Sequence, residues 1–290
     1  MLAIFLIFSF AMYENLFYKK VNTSKTKFFD YAIIFSFAGL GFATIGIAYY
    51  SIMNANIDLE FFSDWRFWLY LGVELVGMYT LNLNYINNPK NHTIINVGIF
   101  STVLLTPIIV YIFDKILGFE NTLHIKIFEE PINILIYVAI YSIIGFAYFW
   151  PKIKNKELNK FHLVVITVIF LLLSFYIEIK LLQTYRFNWF IYSVFEFLLA
   201  FIYGIQSYII EKNEIKQVNK NHFIGGLYYT IFGSLHLIGL TLLAVELGVL
   251  IRRVSQIVAG IFTDKKYHSR LDIFLIILMI LGGVFLLYSC

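Results

Sequence analysis

FDYAIIFSFAGLGFATIGIAYYSIM, residues 29–53, carries a charge at Asp30 and none from there to its end. About 20 consecutive apolar residues cross the roughly 30 Å hydrocarbon layer of a bilayer as a helix. A stretch that is apolar all round its circumference is a membrane span or the centre of a large core. Outward from 29–53 the pattern repeats, with comparable stretches at 1–18, 66–86, 93–117, 131–150, 160–179, 188–210, 222–244, 247–264 and 271–289. The eighth and ninth run almost together and divide near Val245–Gly248, where Glu246 and Gly248 interrupt a run too long for one crossing. All ten are read as helices, because open strands leave backbone N–H and C=O groups unsatisfied in lipid. The expected fold class is therefore all-α integral membrane, with ten transmembrane helices.

The totals agree. Hydrophobic residues make up 60% of the 290 and charged residues 14%, and the mean hydropathy is +0.78. The predicted loops are too short for a soluble catalytic domain. The net charge of +4 sits in loops, which suits an anionic lipid surface rather than nucleic acid. The single cysteine, Cys290, allows no internal disulfide. Residues 1–17 have no basic start and no small-residue cleavage site, and Glu14 and Asn15 follow within them. They are expected to be the first span and not a cleaved leader.

Sorting lysine and arginine by side gives 15 in loops 1–2, 3–4, 5–6, 7–8 and 9–10, and 7 on the other side. Basic loops stay in the cytoplasm, so the four richest, 1–2, 5–6, 7–8 and 9–10, are expected there and both termini outside. A multi-pass protein of the bacterial inner membrane is the localisation that follows.

The chain also reads as doubled. Ile112-Phe113-Asp114-Lys115 and Ile261-Phe262-Thr263-Asp264-Lys265 correspond, allowing one inserted residue, at a separation of about half the chain. Five spans per half is odd, so the second half (151–290) is inverted relative to the first (1–150). Two inverted five-helix repeats around a central cavity are a transporter plan.

At the second copy the sequence becomes more specific. Glu246, Arg253 and Ser255 entering the ninth span, Gly260 and Phe262 on it, Asp264–Lys265 after it, then Arg270-Leu271 and a late Gly282 resemble the end of EamA-type proteins of the drug/metabolite transporter superfamily. Ile116-Leu117-Gly118-Phe119-Glu120 is a weaker echo in the first half. The close match covers about 45 residues. It departs from the family in carrying Asp264 where Glu is usual. The resemblance implies a ten-helix carrier with a central cavity and, against the charge count, both termini in the cytoplasm. It names no cargo.

Polar residues inside apolar spans are expensive there and mark function. Glu196 lies mid-span, and Trp189, Tyr192, Tyr203 and Ser207 share its helical face. A carboxylate among rings suits an organic cation, through charge pairing and cation–π attraction, or a proton. The plain alternative is a structural pairing with arginine. Glu74 shares a face with Tyr70, Gly77, Met78 and Tyr85. By the resemblance Arg253 pairs with a buried acid or a substrate carboxylate, whereas Arg252 and Glu246 read as structural. His236, beside Tyr229 on span 8, is a proton-relay candidate or a core histidine. Gln206 and Asn82 offer neutral hydrogen bonds. Gly39, Ala43 and Gly46 form a small-residue stripe for helix contact.

Catalytic and metal signals are missing from the sequence. The six histidines form no i,i+4 pair and neighbour no cysteine. Asp58, Glu60 and Asp64 read as an outer loop. The expectation is a monomeric secondary transporter, not an enzyme and without cofactor. It would move a small cationic or zwitterionic organic molecule (an amine, a quaternary ammonium compound or an amino acid) by alternating access, with proton coupling available. A membrane-embedded enzyme acting on a lipid-linked substrate is the alternative class, and a non-transporting sensor or assembly subunit a third.

Overall fold

The computed structural model describes residues 2–22, 24–53, 60–88, 94–99, 131–156, 160–184, 189–241, 245–263 and 269–288. Every regular element among them is a helix. In chain order these are α1 (Leu2–Asn22), α2 (Lys27–Met53), a 3-10 turn (Glu60–Ser63), α3 (Trp65–Asn87), α4 (94–99), α5 (Pro131–Lys154), α6 (Phe161–Thr184), α7 (Trp189–Ile210), α8 (Lys220–Thr241), α9 (Val245–Thr263) and α10 (Arg270–Tyr288). Three described stretches are long and apolar enough to cross a membrane: Lys27–Met53, Leu135–Lys154 and Trp189–Ile210. Leu2–Glu14 and Phe161–Ser174 are shorter apolar helical stretches.

These helices are apolar on both sides. On α2, Phe35, Ala38 and Phe42 are buried while Leu40 and Ile47 face outward. On α5 the outward face carries Leu135, Ile140, Ile143 and Phe146. Large exposed apolar patches are unusual on a soluble monomer and mark a surface made for lipid or for a partner.

α2 packs along α7 and α8, α3 along α6, and α1 along α8 and α9, while α5 meets α10. Glycine makes the closest of these crossings. A Cβ at Gly226 on α8 would stand 2.4 Å from Phe37 Cβ and 3.0 Å from the Ile34 carbonyl oxygen of α2. The two backbones touch there. Gly226→Val is therefore expected to cost about 3 kcal/mol or more by overpacking, seen as a lower midpoint of thermal unfolding in detergent. A midpoint equal to the parent's would mean the crossing is looser than described. The Gly39 and Gly46 stripe meets α7 as expected, at Phe197 and at Trp189 respectively.

Hydroxyl groups tie the same seams to main-chain carbonyls. Ser193 donates to the Gly39 carbonyl (2.8 Å), Tyr13 to that of Gly225 (2.9 Å) and Thr230 to that of Ala38 (3.3 Å). α2 and α7 also hold each other's ends. The buried Glu211 carboxylate, just past α7, accepts the Phe28 and Phe29 amides of the first turn of α2 (2.9 and 3.1 Å). Lys216 Nζ donates to the Ser207 carbonyl (2.8 Å), satisfying one of the last-turn acceptors that a helix leaves open.

Apart from the fourth, the stretches expected to be helical coincide with described helices to within about five residues at either end, with instructive differences. α5 continues past 150 through Pro151 to Lys154. Its last turn is held by Lys152, which is buried, ion-paired to Asp272 of α10 and 4.4 Å above the Tyr148 ring. Lys152, counted from sequence as a loop charge, is thus an interhelical contact. α9 begins at Val245, slightly before the expected start at 247, so Glu246 lies in the first turn of α9. Asp64 caps α3 and pairs with Arg66. Most of the expected fourth span, the pairs Asp114–Lys115 and Asp264–Lys265, and the segment 116–120 lie outside the described residues.

Candidate functional site

α7 turns Trp189, Ser193, Glu196, Ala200, Tyr203 and Ser207 inward. Their spacing of three and four residues puts them on one helical face. Glu196 is only 4% exposed, and its Oε2 has no hydrogen-bond partner among the described residues. Among the described residues, the charged side chains that bear on it are Glu14 on α1 and Glu74 on α3. Ser174 on α6 donates to Glu74 Oε2. Gln256 on α9 donates to Glu14 Oε2 at 2.9 Å. Three acids on three helices therefore share one interior region. No salt bridge to any of them is present among the described residues. They do not converge into a metal-holding group among those residues either.

Glu14 is the member that sequence reasoning missed. It served only as a sign that residues 1–17 are not a cleaved leader, although an acid inside an apolar run is the signal that singled out Glu74 and Glu196. Its partner Gln256 was passed over as well. Gln256 also accepts at its backbone oxygen from Asn96 (3.3 Å), whose side-chain oxygen accepts from Tyr85 (2.6 Å). These bonds join α9, α4 and α3.

Around the acids lie neutral polar contacts that join α3 to α7. Asn82 donates to Tyr203 Oη, and Gln206 donates to Tyr79 Oη. Tyr203 is fully buried and stacks on Tyr31 (5.1 Å between centroids) and Phe35 (5.8 Å). Asn84, Thr167 and Thr80 form a further bonded chain between α3 and α6.

The remaining candidates divide. Tyr70 and Trp189 are buried. Tyr192 is half-buried, with its ring 6.2 Å from Phe42. Tyr229 belongs to a ring cluster with Phe10, Phe17 and Phe35, and His236 lies stacked on Phe10 at 5.0 Å. His236 and Tyr229 thus sit in the aromatic packing of α1 against α8. The side chains of Arg253, Arg252 and Glu246 fall outside the described residues.

A cavity of about 600 Å³ lies elsewhere, where the end of α1 and the starts of α2 and α8 meet. None of the sequence-derived candidates lines it. Chemically, the acidic region can attract a cation or hold a proton, because its carboxyl groups sit away from bulk water and have no basic partner among the described residues. Its rings add quadrupole attraction for an organic cation. No protein-family model matches the chain, and no match emerges among curated proteins.

Proposed function

We propose that the chain is a secondary transporter of a small cationic or zwitterionic organic molecule. It is built from ten membrane-spanning helices in two inverted halves, in the manner of the EamA-type proteins that its C-terminal segment resembles. The observation that carries this is the set of Glu14, Glu74 and Glu196 on α1, α3 and α7, of which Glu196 is buried with a carboxylate oxygen that has no hydrogen-bond partner among the described residues. Three acids held inside an apolar bundle are costly to stability unless something positive comes to them.

The helix pairings support the inverted halves. Exchanging each helix n for n+5 carries α3·α6 onto α8·α1 and α2·α8 onto α7·α3, and leaves α2·α7 and α5·α10 unchanged. All of these pairs are in contact. Two such halves place a site at their junction and let it open to either side by rocking. The α3–α7 contacts at Asn82–Tyr203 and Gln206–Tyr79 lie across that junction and are the ones that rocking would break. Proton coupling fits the same site, because a carboxyl group that binds cargo or proton, never both, links the two fluxes.

Counterflow in proteoliposomes tests the proposal. Vesicles loaded with tetramethylammonium, an aliphatic amine, a neutral amino acid or an organic anion are diluted into tracer, with and without a pH gradient. Cations or the zwitterion are expected to exchange and the anion to be inert. Best exchange by the anion, or none by any solute alongside turnover of a lipid, would overturn it.

A further inference from the structure

The hydrogen bonds of the α3–α7 seam leave one kind of group over. Asn82 is fully buried and spends its amide N–H on Tyr203 Oη, which leaves its Oδ1 without a partner among the described residues. One turn along α7 from Tyr203, Gln206 spends its amide N–H on Tyr79 Oη, and its Oε1 is left in the same state. Glu196 Oε2 and Asn84 Oδ1 complete the set. Five buried side-chain atoms on α3 and α7 lack a partner among the described residues. Four of them are these amide and carboxylate oxygens, and the fifth is the Ser207 hydroxyl, which can turn either way. An amide oxygen or an ionised carboxylate accepts hydrogen bonds and donates none. Buried polar groups are nearly always paired in folded proteins, so these oxygens call for donors brought from outside.

Two of them belong to one neighbourhood. Tyr203 lies two turns beyond Glu196 on the inward face of α7. Long helical side chains lean toward the N-terminus, which carries the Tyr203 hydroxyl, with Asn82 bonded to it, back toward the acid. The charge of Glu196 bears on Tyr203 accordingly. Tyr203 has little ring face to give an N-methyl group. Tyr31 and Phe35 of α2 stack on it, and the Tyr79 ring of α3 stands 6.1 Å from it. Glu196 is itself buried, so the approach to it suits a compact head.

We propose that the acidic region takes an ammonium group that still carries N–H bonds, that of a small primary amine, with Glu196 Oε2 and Asn82 Oδ1 as the acceptors that discriminate against quaternary ammonium. The proposal rests on the cation-transport reading above and narrows its cargo. A primary ammonium brings charge to the acids and N–H donors to the oxygens. A quaternary ammonium brings the same charge and no donor, so the oxygens stay unpaired. A pocket that hydrogen-bonds an N–H rejects the analogue lacking it far more strongly than an apolar pocket rejects an extra methyl group.

Thermal-shift titration of the full chain in detergent tests this with methyl-, dimethyl-, trimethyl- and tetramethylammonium chloride, each against potassium chloride at equal ionic strength. All four carry one positive charge at neutral pH and differ in having three, two, one or no N–H. Apolar burial favours the most methylated member, and hydrogen bonding favours the least. Affinity is expected to fall along the series, with tetramethylammonium about ten-fold or more weaker than methylammonium, the loss of a buried charge-assisted hydrogen bond. Asn82→Leu, which removes the amide oxygen, is expected to weaken methylammonium about five-fold or more and to spare tetramethylammonium. The series on the parent chain decides the matter even if that variant does not fold. Equal shifts across the series, the largest shift from tetramethylammonium, or a shift from sodium chloride matching that of methylammonium would overturn the N–H requirement and leave a cation site standing. No shift from any of the four would overturn the cation reading itself, and this inference with it.

Discussion

Glu196→Gln is expected to abolish counterflow of the cationic cargo while leaving the fold intact. Glutamine keeps the volume and one carbonyl oxygen, so the packing of α7 against Tyr203 and its neighbours is unchanged. What is lost is the charge of the most enclosed acid of the three. Removing one partner of a desolvated ion pair costs about 3–5 kcal/mol, which is a hundred-fold or more in affinity or rate. The initial rate of exchange should fall by that factor, and the midpoint of thermal unfolding in detergent should hold or rise. Glu74→Gln should do less, because Glu74 is half-buried and already accepts from Ser174. An exchange rate for Glu196→Gln equal to the parent's would remove the acid from the mechanism. A collapse of stability together with the rate would make it structural.

Glu211→Ala should give the largest stability loss outside the apolar seams. Its carboxylate serves two first-turn amides of a different helix, where orphan donors and the positive end of the helix dipole both favour an anion. Removing it strands one buried and one half-buried N–H, at about 1–3 kcal/mol for each buried group left unmade. A loss of about 3 kcal/mol is expected, and about half of that for Glu211→Gln, which keeps one acceptor. Hydrogen exchange at Phe28 and Phe29 reads the effect directly. Unchanged protection there would show that other groups cap α2.

The helices were legible because their signal is one-dimensional. An apolar run bounded by charged residues, as at 29–53 (Lys27 before it, Asp58 after) or 188–210 (Arg186 before it, Glu211 and Lys212 after), fixes length and ends without knowledge of any neighbour. α1 and α6 outrun their expected ends, by contrast, because a helix goes on past the apolar stretch where its polar residues find partners. Asn22, for instance, accepts from Tyr31 at 2.7 Å. Faces were legible too. Of the stripe Trp189, Tyr192, Glu196, Tyr203 and Ser207, all but the half-buried Tyr192 lie on the buried side of α7. Partners were not, because periodicity along α3 says nothing of which helix lies opposite. Nothing near Asn82 in sequence points to Tyr203, 121 residues away, or near Glu14 to Gln256, 242 residues away. Only the inverted-repeat expectation reached that far, and the part of it resting on Asp114 and Asp264 lies outside the described residues.

The bonds from Ser193, Tyr13 and Thr230 end on carbonyls of Gly39, Gly225 and Ala38. A main-chain oxygen is the same atom whatever residue carries it. The accepting helix is therefore free to exchange one small residue for another over evolutionary time without breaking the junction. Selection acts on the hydroxyl and on bulk alone, so architecture of this kind outlasts recognisable kinship in the letters that encode it.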